Sequence, residues 1–396
     1  MFLRQVGGLQ SLELLAFDHM VRLSADKAPD PRLLIVEITE EDIRRLNEWP
    51  MSDQTMAEAL TRLQAHRPKA IGVDIYRDIP HGEGQAALAA ALRSPNVIII
   101  KSLGVSEEDY VPPPPNMAAD QVGFNDFIID PDSVLRRGLL FASVENELLY
   151  SFALQLSLKY LGADTQFKVD RQALHLGPID YLPLESHSGG YDNINASGYQ
   201  MLLDYRSSSQ IARKVTLSEL LSDDVESDWI KDKVVLIGAT ALSLKDFFYT
   251  PYSSEKSTEH VMPGVIVHAQ IVSQILGNVL DKRPLFWFWP QWIEIFWIWG
   301  WALVGGVLVW KMQRSLLLGI AILLSVCALG GLCLLGFVLT GWIPFAAPVL
   351  ALFLTSGSLI TYQVFYQSFY DPLTGLPIRA LFVRQLNRTL KEKRKS

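Results

Sequence analysis

A chain of 396 residues in which 49% of side chains are hydrophobic, 19% are charged and only two are cysteine excludes a disulfide framework, a disordered segment and a basic nucleic-acid binder. The formal charge of −7 is unevenly spread: 11 of the 35 basic and three of the 42 acidic side chains lie beyond residue 281, which leaves 24 against 39, a net −15, for residues 1–281. A portion that acidic does not attach to nucleic acid or to anionic lipid through bulk charge.

In chain order, LQSLELLAFDHMVRL (9–23) has apolar residues at helical spacing, and the two prolines of DKAPDPR end it. LLIVEI (33–38) reads as a strand. Thr39 with Asp42 three residues later is a capping-box start for the helix TEEDIRRL. A helix over 56–63, the strand AIGVDIY (70–76), the helix GQAALAAALRS and the strand NVIIIKSL (96–103) follow. This alternation predicts a parallel sheet flanked by helices.

VPPPPN is a loop, and QVGFNDFIIDPDSVLRRGLLFAS predicts a hairpin turning at 130–133 and returning over 138–142. SFALQLSLKYLG (151–162) is a helix closed by glycine. Residues 165–200 are polar and glycine-rich without a clear period. Beyond them come the strand MLLDYR (201–206), the helix LSELLSD, the buried strand KVVLIGAT (233–240) and the helix VIVHAQIVSQIL. The expected fold is a mixed α/β, helix-flanked sheet in one soluble domain over residues 1–281.

Three apolar runs then occupy 285–310, 316–340 and 342–366, each long enough to cross about 30 Å of hydrocarbon at 1.5 Å per residue, so a three-helix transmembrane bundle is expected. Lys311 and Arg314 between the first two runs, and Arg379, Arg384, Arg388, Lys391, Lys393, Arg394 and Lys395 after the last, put that link and the C-terminus in the cytoplasm and the α/β domain outside; Lys282 and Arg283 weakly oppose this. Six tryptophans from Trp287 to Trp301 crowd the outer half of the first run. Both cysteines, Cys327 and Cys333, lie within the second, so the outer domain has neither thiol nor disulfide. The start of the chain is a poor secretory signal, and an upstream span absent from this sequence is expected to supply export.

Ligand sites in open α/β sheets lie beyond the carboxyl ends of the strands. Glu37 with Glu40 and Glu41, then Asp74, Arg77 and Asp78, then Gly238, Ala239, Thr240 and Asp246 would gather there. Such carboxylates, an arginine and a small-residue turn could hold a small polar ligand or a divalent cation, or Asp74 and Asp246 could instead cap turns and pair with Lys245 or Arg77. GATA lacks the glycine spacing of a phosphate cradle. His268, on the apolar face of the last soluble helix, is either a hydrogen-bonded core histidine or a pH-responsive one. The histidines lack zinc spacing and no serine sits in a Gly-x-Ser-x-Gly elbow, so no catalytic residue, metal or cofactor is expected. Glu294 is the single acid in a span, and Gly305, Gly306, Gly330 and Gly331 offer close-packing surfaces.

The segments DPRLLIVEITEEDI, AIGVDIYRDIP, VGFNDFIIDPDSVLRRGLLF, LLDYR, VVLIGATALSLKDFFYTPYS and PGVIVHAQIVSQIL, in this order and ahead of three spans, resemble the type 2 CHASE family of bacterial extracytoplasmic sensor domains over residues 9–366. In that family one span precedes the sensor and three follow it. EWPMSD departs from the Trp-Pro-Trp-Pro-Arg-like stretch common there. DPLTGLPIRALF (371–382) is similar to the opening signature of GGDEF-type diguanylate cyclase domains: Asp371, Leu373, Thr374, Gly375, Leu376 and Arg379 match, and Ile378 replaces the usual Asn. The sequence as given reaches Ser396 before any catalytic segment of that family, so no enzymatic activity is expected of this chain itself. The resemblances imply a homodimeric receptor in the bacterial inner membrane, in contact with lipid and an unidentified signal, and the input half of a cyclic di-GMP signalling protein. Gly264 and His268 would lie on the transmitting helix. The rival expectation is a structural or assembly protein of the envelope.

Overall fold

The computed structural model describes residues 8–104, 106–145, 147–170, 173–253, 261–312, 314–369 and Val383. The cyclase-like stretch at 371–382 lies outside them. Two compact units are present, one of residues 17–188 with 193–286, the other of residues 1–16, 189–192 and 287–396. The first helix, α1 (Gln10–Leu23), begins in the second of these and ends in the first.

The larger unit is built on a six-stranded, wholly parallel sheet in the order β11-β1-β12-β2-β3-β4, formed by β1 (Leu33–Ile38), β2 (Ala70–Asp74), β3 (Val97–Lys101), β4 (Val122–Phe124), β11 (Arg213–Thr216) and β12 (Val234–Ala239). Its strands are apolar on both faces because both faces are covered. Leu33 and Ile35 of β1 join one core, with Ile98, Val234 and Leu236. Leu34, Val36 and Ile38 join the other, with Ile71, Val73, Ile99, Val235 and Ile237. The second core is closed by α2 (Glu40–Leu46), α3 (Asp53–Ala65), α4 (Gln85–Leu92), α6 (Leu217–Leu221) and α7 (Ser227–Ile230). The Thr39–Asp42 capping box forms as the sequence predicts.

The first core is closed by α5 (Phe152–Leu161) and α8 (Gly264–Asp281). Helix α8 is buried at every position from Gly264 to Val279; its apolar residues pack in the core and its buried Gln270, Ser273, Gln274 and Asn278 are hydrogen-bonded. It lies close on the sheet because Gly238 has no side chain: a Cβ there would fall 2.6 Å from Val265 Cβ. A three-stranded antiparallel sheet in the order β10-β5-β6 covers this layer, from β5 (Arg137–Val144), β6 (Glu147–Tyr150) and β10 (Tyr199–Leu202). β7 (Phe167–Val169), β8 (Leu174–Leu176) and β9 (Ile179–Tyr181) form a small meander, and β13 (Phe247–Phe248) pairs with β14 (Met262–Pro263).

Two expectations change. The hairpin at 121–143 does not form as one unit: β4 extends the parallel sheet whereas β5 belongs to the antiparallel one, and only the isolated Ile128–Arg137 bridge joins the segments between them. The reason lies in DPDSVLRR, whose two arginines turn inward on carboxylates. Arg136 bonds Asp18, Asp130 and Asp132, and Arg137 bonds Asp130 and Gln200. The strand expected at 201–206 stops at Leu202, because side-chain amides of α8 replace its ladder. Gln274 accepts from the Asp204 amide and donates to the Leu202 carbonyl, and Gln270 does the same for Arg206 and Ser207.

The second unit contains three helices long and apolar enough to cross a membrane, α9 (Gln291–Lys311), α10 (Ser315–Val338) and α11 (Ala346–Phe369). The first starts six residues later than the apolar run does, after Pro290, since residues 287–288 form β15 (Trp287–Phe288) alongside β16 (Gly341–Trp342). Glu13 accepts from the Phe345 and Ala347 amides and so caps α11, whose first-turn N–H groups have no partner within the helix. Gly305 sits where α9 meets α11, Gly306 and Gly330 pack more loosely, and a Cβ at Gly331 would point into open space. Glu294 is buried among these helices.

Candidate functional site

Beyond the carboxyl ends of β2, β3 and β4 the chain leaves the sheet through three loops, and these meet the N-terminal turns of α8 around a cavity of about 180 Å³. Asp74 ends β2 and lies opposite Gly238 in the register with β12. Ser102 follows β3, and Asn125, Asp126 and Phe127 follow β4. Asp246 and Phe248 enter from the segment paired with β14, and Gly264 and His268 from α8.

The three carboxyls differ in what holds them. Asp126 is saturated, accepting from the Leu103 and Gly104 amides at 2.7 and 3.1 Å and from Ser102 Oγ at 3.2 Å, so it staples the loop. Asp74, its side chain 5% exposed, faces His268 Nε2 at 3.9 Å, too far for a hydrogen bond. Burial raises its pKa well above the carboxylate range, the Asp246 charge adds to this, and the Asn125 amide offsets part. Asp246 is also raised by burial, with partial relief from the Gly264 amide. Among the described residues no lysine or arginine forms an ion pair with either, so pairing with Lys245 or Arg77 is not seen: Lys245 is exposed, and Arg77 faces Asp53 at 3.7 Å.

His268 is a core histidine, but not the hydrogen-bonded one expected. It is fully buried, yet both ring nitrogens lack a hydrogen-bond partner among the described residues. Burial pushes its pKa down to about 3, so it is a neutral imidazole. Its ring is held by Phe127 at 4.5 Å and Phe152 at 5.1 Å between centroids. An unsatisfied buried polar group costs about 1–3 kcal/mol, a cost this ring shares with the Arg77 guanidinium and a few other buried groups.

The sequence thus brings together Asp74, Asp246, Gly264 and His268, but not the others. Glu37 pairs with Lys214 at 2.9 Å on the other side of β1, and Glu40 accepts from the Ser243 amide at 2.7 Å. Thr240 donates its backbone N–H to the Ile38 carbonyl, Gly238 serves packing, and Arg77 is buried beside Asp53. Sequence reasoning missed Tyr76, Ser102, Asn125, Asp126, Phe127 and Phe248. The signal for the first five was the position of their loops directly after a strand, the same rule that found Asp74. A larger groove of about 1000 Å³, lined among others by Lys101, Met117, Leu149, Tyr150 and Phe167, runs along the β4 edge without a comparable cluster of buried polar groups.

No curated protein and no solved structure matches this chain. The family comparison is positive: the CHASE2 domain matches residues 1–307, more than three quarters of the chain and extending into α9. The parallel sheet, the pocket at its carboxyl edge and the helices that follow therefore belong to a CHASE2 sensor protein, and the chain is a member of the CHASE2 domain family.

Proposed function

We propose that this chain is the input half of a membrane receptor whose output is cyclic di-GMP turnover. The α/β unit lies outside a bacterial inner membrane, α9 to α11 cross it, and the segment after Phe369 leads into a cytoplasmic diguanylate cyclase domain. The observation that carries this reading is the CHASE2 domain followed directly by three membrane-length helices, with the cyclase-like DPLTGLPIRALF in the next residues. The chain itself does no chemistry, binds no nucleic acid, and acts as a homodimer because cyclase domains of this type work in facing pairs. The signal enters the Asp74–Asp246–His268 pocket and acts on α8, whose first turn forms part of the pocket wall.

The test uses reporter fusions for topology and a chimera for output. Fusions at Ser207 and Ser396, made with an upstream span supplied, should report outside and cytoplasm respectively; Ser207 in the cytoplasm overturns the receptor reading. A complete cyclase domain is then joined after the last helix and cyclic di-GMP measured in cells. A Cβ at Gly264 would lie 2.6 Å from Asp246 Oδ2, so Gly264→Leu must displace that carboxyl or the helix start. Output should change at least about twofold at equal membrane level, an effect of under 1 kcal/mol on a two-state equilibrium. Unchanged output removes α8 as the transmitter.

A further inference from the structure

The pocket has an electrostatic deficit that identifies the chemistry of its occupant. Its two unsaturated carboxyls, Asp74 and Asp246, have no basic partner among the described residues, and no lysine or arginine lines the cavity. Burial without a counter-charge disfavours the ionised form of both side chains, and a cationic ligand would supply the missing positive charge. His268 contributes two buried ring nitrogens with no partner, one of them an acceptor in the neutral ring, and it lines the same cavity. Besides Ser102, Asn125, Gly264 and the already bonded Asp126, the wall is aromatic: Phe127 and Phe248 stand edge to face at 4.8 Å, and Tyr76 Oη donates to Asn125 Oδ1. Carboxylates beside aromatic rings favour a cation that carries carbon, through combined ion pairing and cation–π attraction.

We propose that this cavity binds a small organic ammonium ion, with Asp74 and Asp246 accepting its N–H groups, the His268 ring nitrogen accepting another, and Phe127 and Phe248 covering its carbon. The inference rests on the receptor reading for its biological meaning but not for its chemistry. At about 180 Å³ the space is below the 300–1,000 Å³ usual for drug-sized ligands, so the bound portion has only a few heavy atoms. A bare divalent ion suits it less well, since no three His, Cys, Asp or Glu side chains among the described residues are placed to hold one. An anion would find no counter-charge, since no lysine or arginine lines the cavity.

The experiment titrates the full chain, purified in detergent, with methylammonium chloride and tetramethylammonium chloride, against sodium chloride, sodium acetate and manganese chloride at matched ionic strength. Calorimetry and thermal unfolding are the readouts. Methylammonium should bind no tighter than about the millimolar range, given the ceiling on affinity for so few atoms, and should raise the unfolding temperature where sodium does not. Asp74→Asn and Asp246→Asn should each weaken it at least tenfold while folding normally, because an amide matches the carboxyl in shape and brings no charge into the site. Glu37→Gln, outside the cavity, should leave it unchanged. Equal binding by all variants, no ammonium binding, or preference for manganese or acetate overturns the proposal. Failure here with a Gly264→Leu effect intact in the cyclase chimera removes only the ligand class. Ammonium binding with no change in chimera output removes the receptor reading and leaves the site.

Discussion

Arg136 offers the sharpest test of how the α/β unit is held together. Its side chain is 1% exposed and makes five hydrogen bonds to carboxylates: Nε and Nη2 to the two oxygens of Asp18, each at 2.7 Å, Nη1 to Asp130 and Asp132, each at 2.9 Å, and Nη2 to Asp132 at 2.7 Å. Replacement by methionine keeps the stem but strands the acids. They do not suffer equally. Asp130 retains Arg137 at 2.7 Å, and Asp132, 40% exposed, can be hydrated. The loss therefore falls on Asp18, a residue of α1, and corresponds to breaking one buried pair, about 3–5 kcal/mol. At about 2–4 °C per kcal/mol for a domain of this size class, Arg136→Met should lower the unfolding temperature by roughly 6–20 °C at pH 7.5. Asp18→Asn added to that variant should recover at least half of the loss. Burial already raises the Asp18 pKa, so once Arg136 is gone its proton uptake should narrow the gap from the wild type as the pH falls towards the ordinary carboxylate range. Thermal unfolding of the purified chain, with hydrogen exchange over residues 17–23, measures both. A drop below about 2 °C, or no recovery with Asp18→Asn, would refute the reasoning.

Two further expectations concern the helices and the pocket. At Gly305 a Cβ would fall 2.7 Å from the Leu352 carbonyl oxygen and 2.8 Å from Ser356 Oγ, and a backbone oxygen cannot rotate away, so Gly305→Ala should cost about 1–3 kcal/mol in detergent-denaturant titration; Gly331→Ala, with open space around it, should be neutral or stabilise by up to about 1 kcal/mol. His268, at about 3 when folded against about 6.5 unfolded, leaves the unfolded chain with the extra proton between those values, so its contribution to stability falls as pH falls below about 6.5, by up to about 1.4 kcal/mol per unit. Asp74 and Asp246, raised in the fold, act with the opposite sign above their unfolded value and are common to both proteins. His268→Phe should thus gain about 2–3 kcal/mol relative to wild type between pH 6.5 and 4.5 in denaturant titrations; parallel profiles would show that the imidazole is protonated in the fold.

The layered core was legible because buried parallel strands announce themselves: LLIVEI, AIGVD, VIIIK and VVLIGA are apolar at nearly every position, and the helices between them carry ordinary caps. The strand-end rule placed Asp74 correctly and misled on Glu37, since it names an edge of the sheet and not a particular crevice. Whether a strand-end side chain reaches the cavity depends on which face it leaves from, and Glu37 reaches Lys214 of β11 instead. The failed hairpin and the shortened strand share one cause. Side chains distant in sequence, Asp18 for Arg136 and Gln270 and Gln274 for residues 202–207, supply bonds that a local reading assigns to a ladder. Periodicity does not report such partners.

The same glutamines bear on what a ligand can do. Helix α8 runs 18 residues, about 27 Å, from Gly264 in the pocket wall through His268 to Gln270, Ser273 and Gln274, which hold residues 202–207 and Asp30, and on to Asn278, which holds the Arg283 carbonyl at 2.9 Å. If the helix is the transmitter proposed, bonds spaced along its length would tie a displacement of its first turn to the segments it holds. A cation between Asp74 and Asp246 would act at that first turn, where the Gly264 amide and the positive end of the helix dipole already face Asp246. Affinity alone, however, moves no equilibrium. Turning a 1:99 population into 99:1 takes about 5.5 kcal/mol of differential binding, whereas an ion as small as methylammonium has at most about 3 kcal/mol to give, roughly a hundredfold shift. If the cavity takes an ammonium group as proposed, the physiological ligand must extend beyond it or the receptor must rest near balance between two states, and methylammonium acting on the cyclase chimera distinguishes these by giving a partial or a full response.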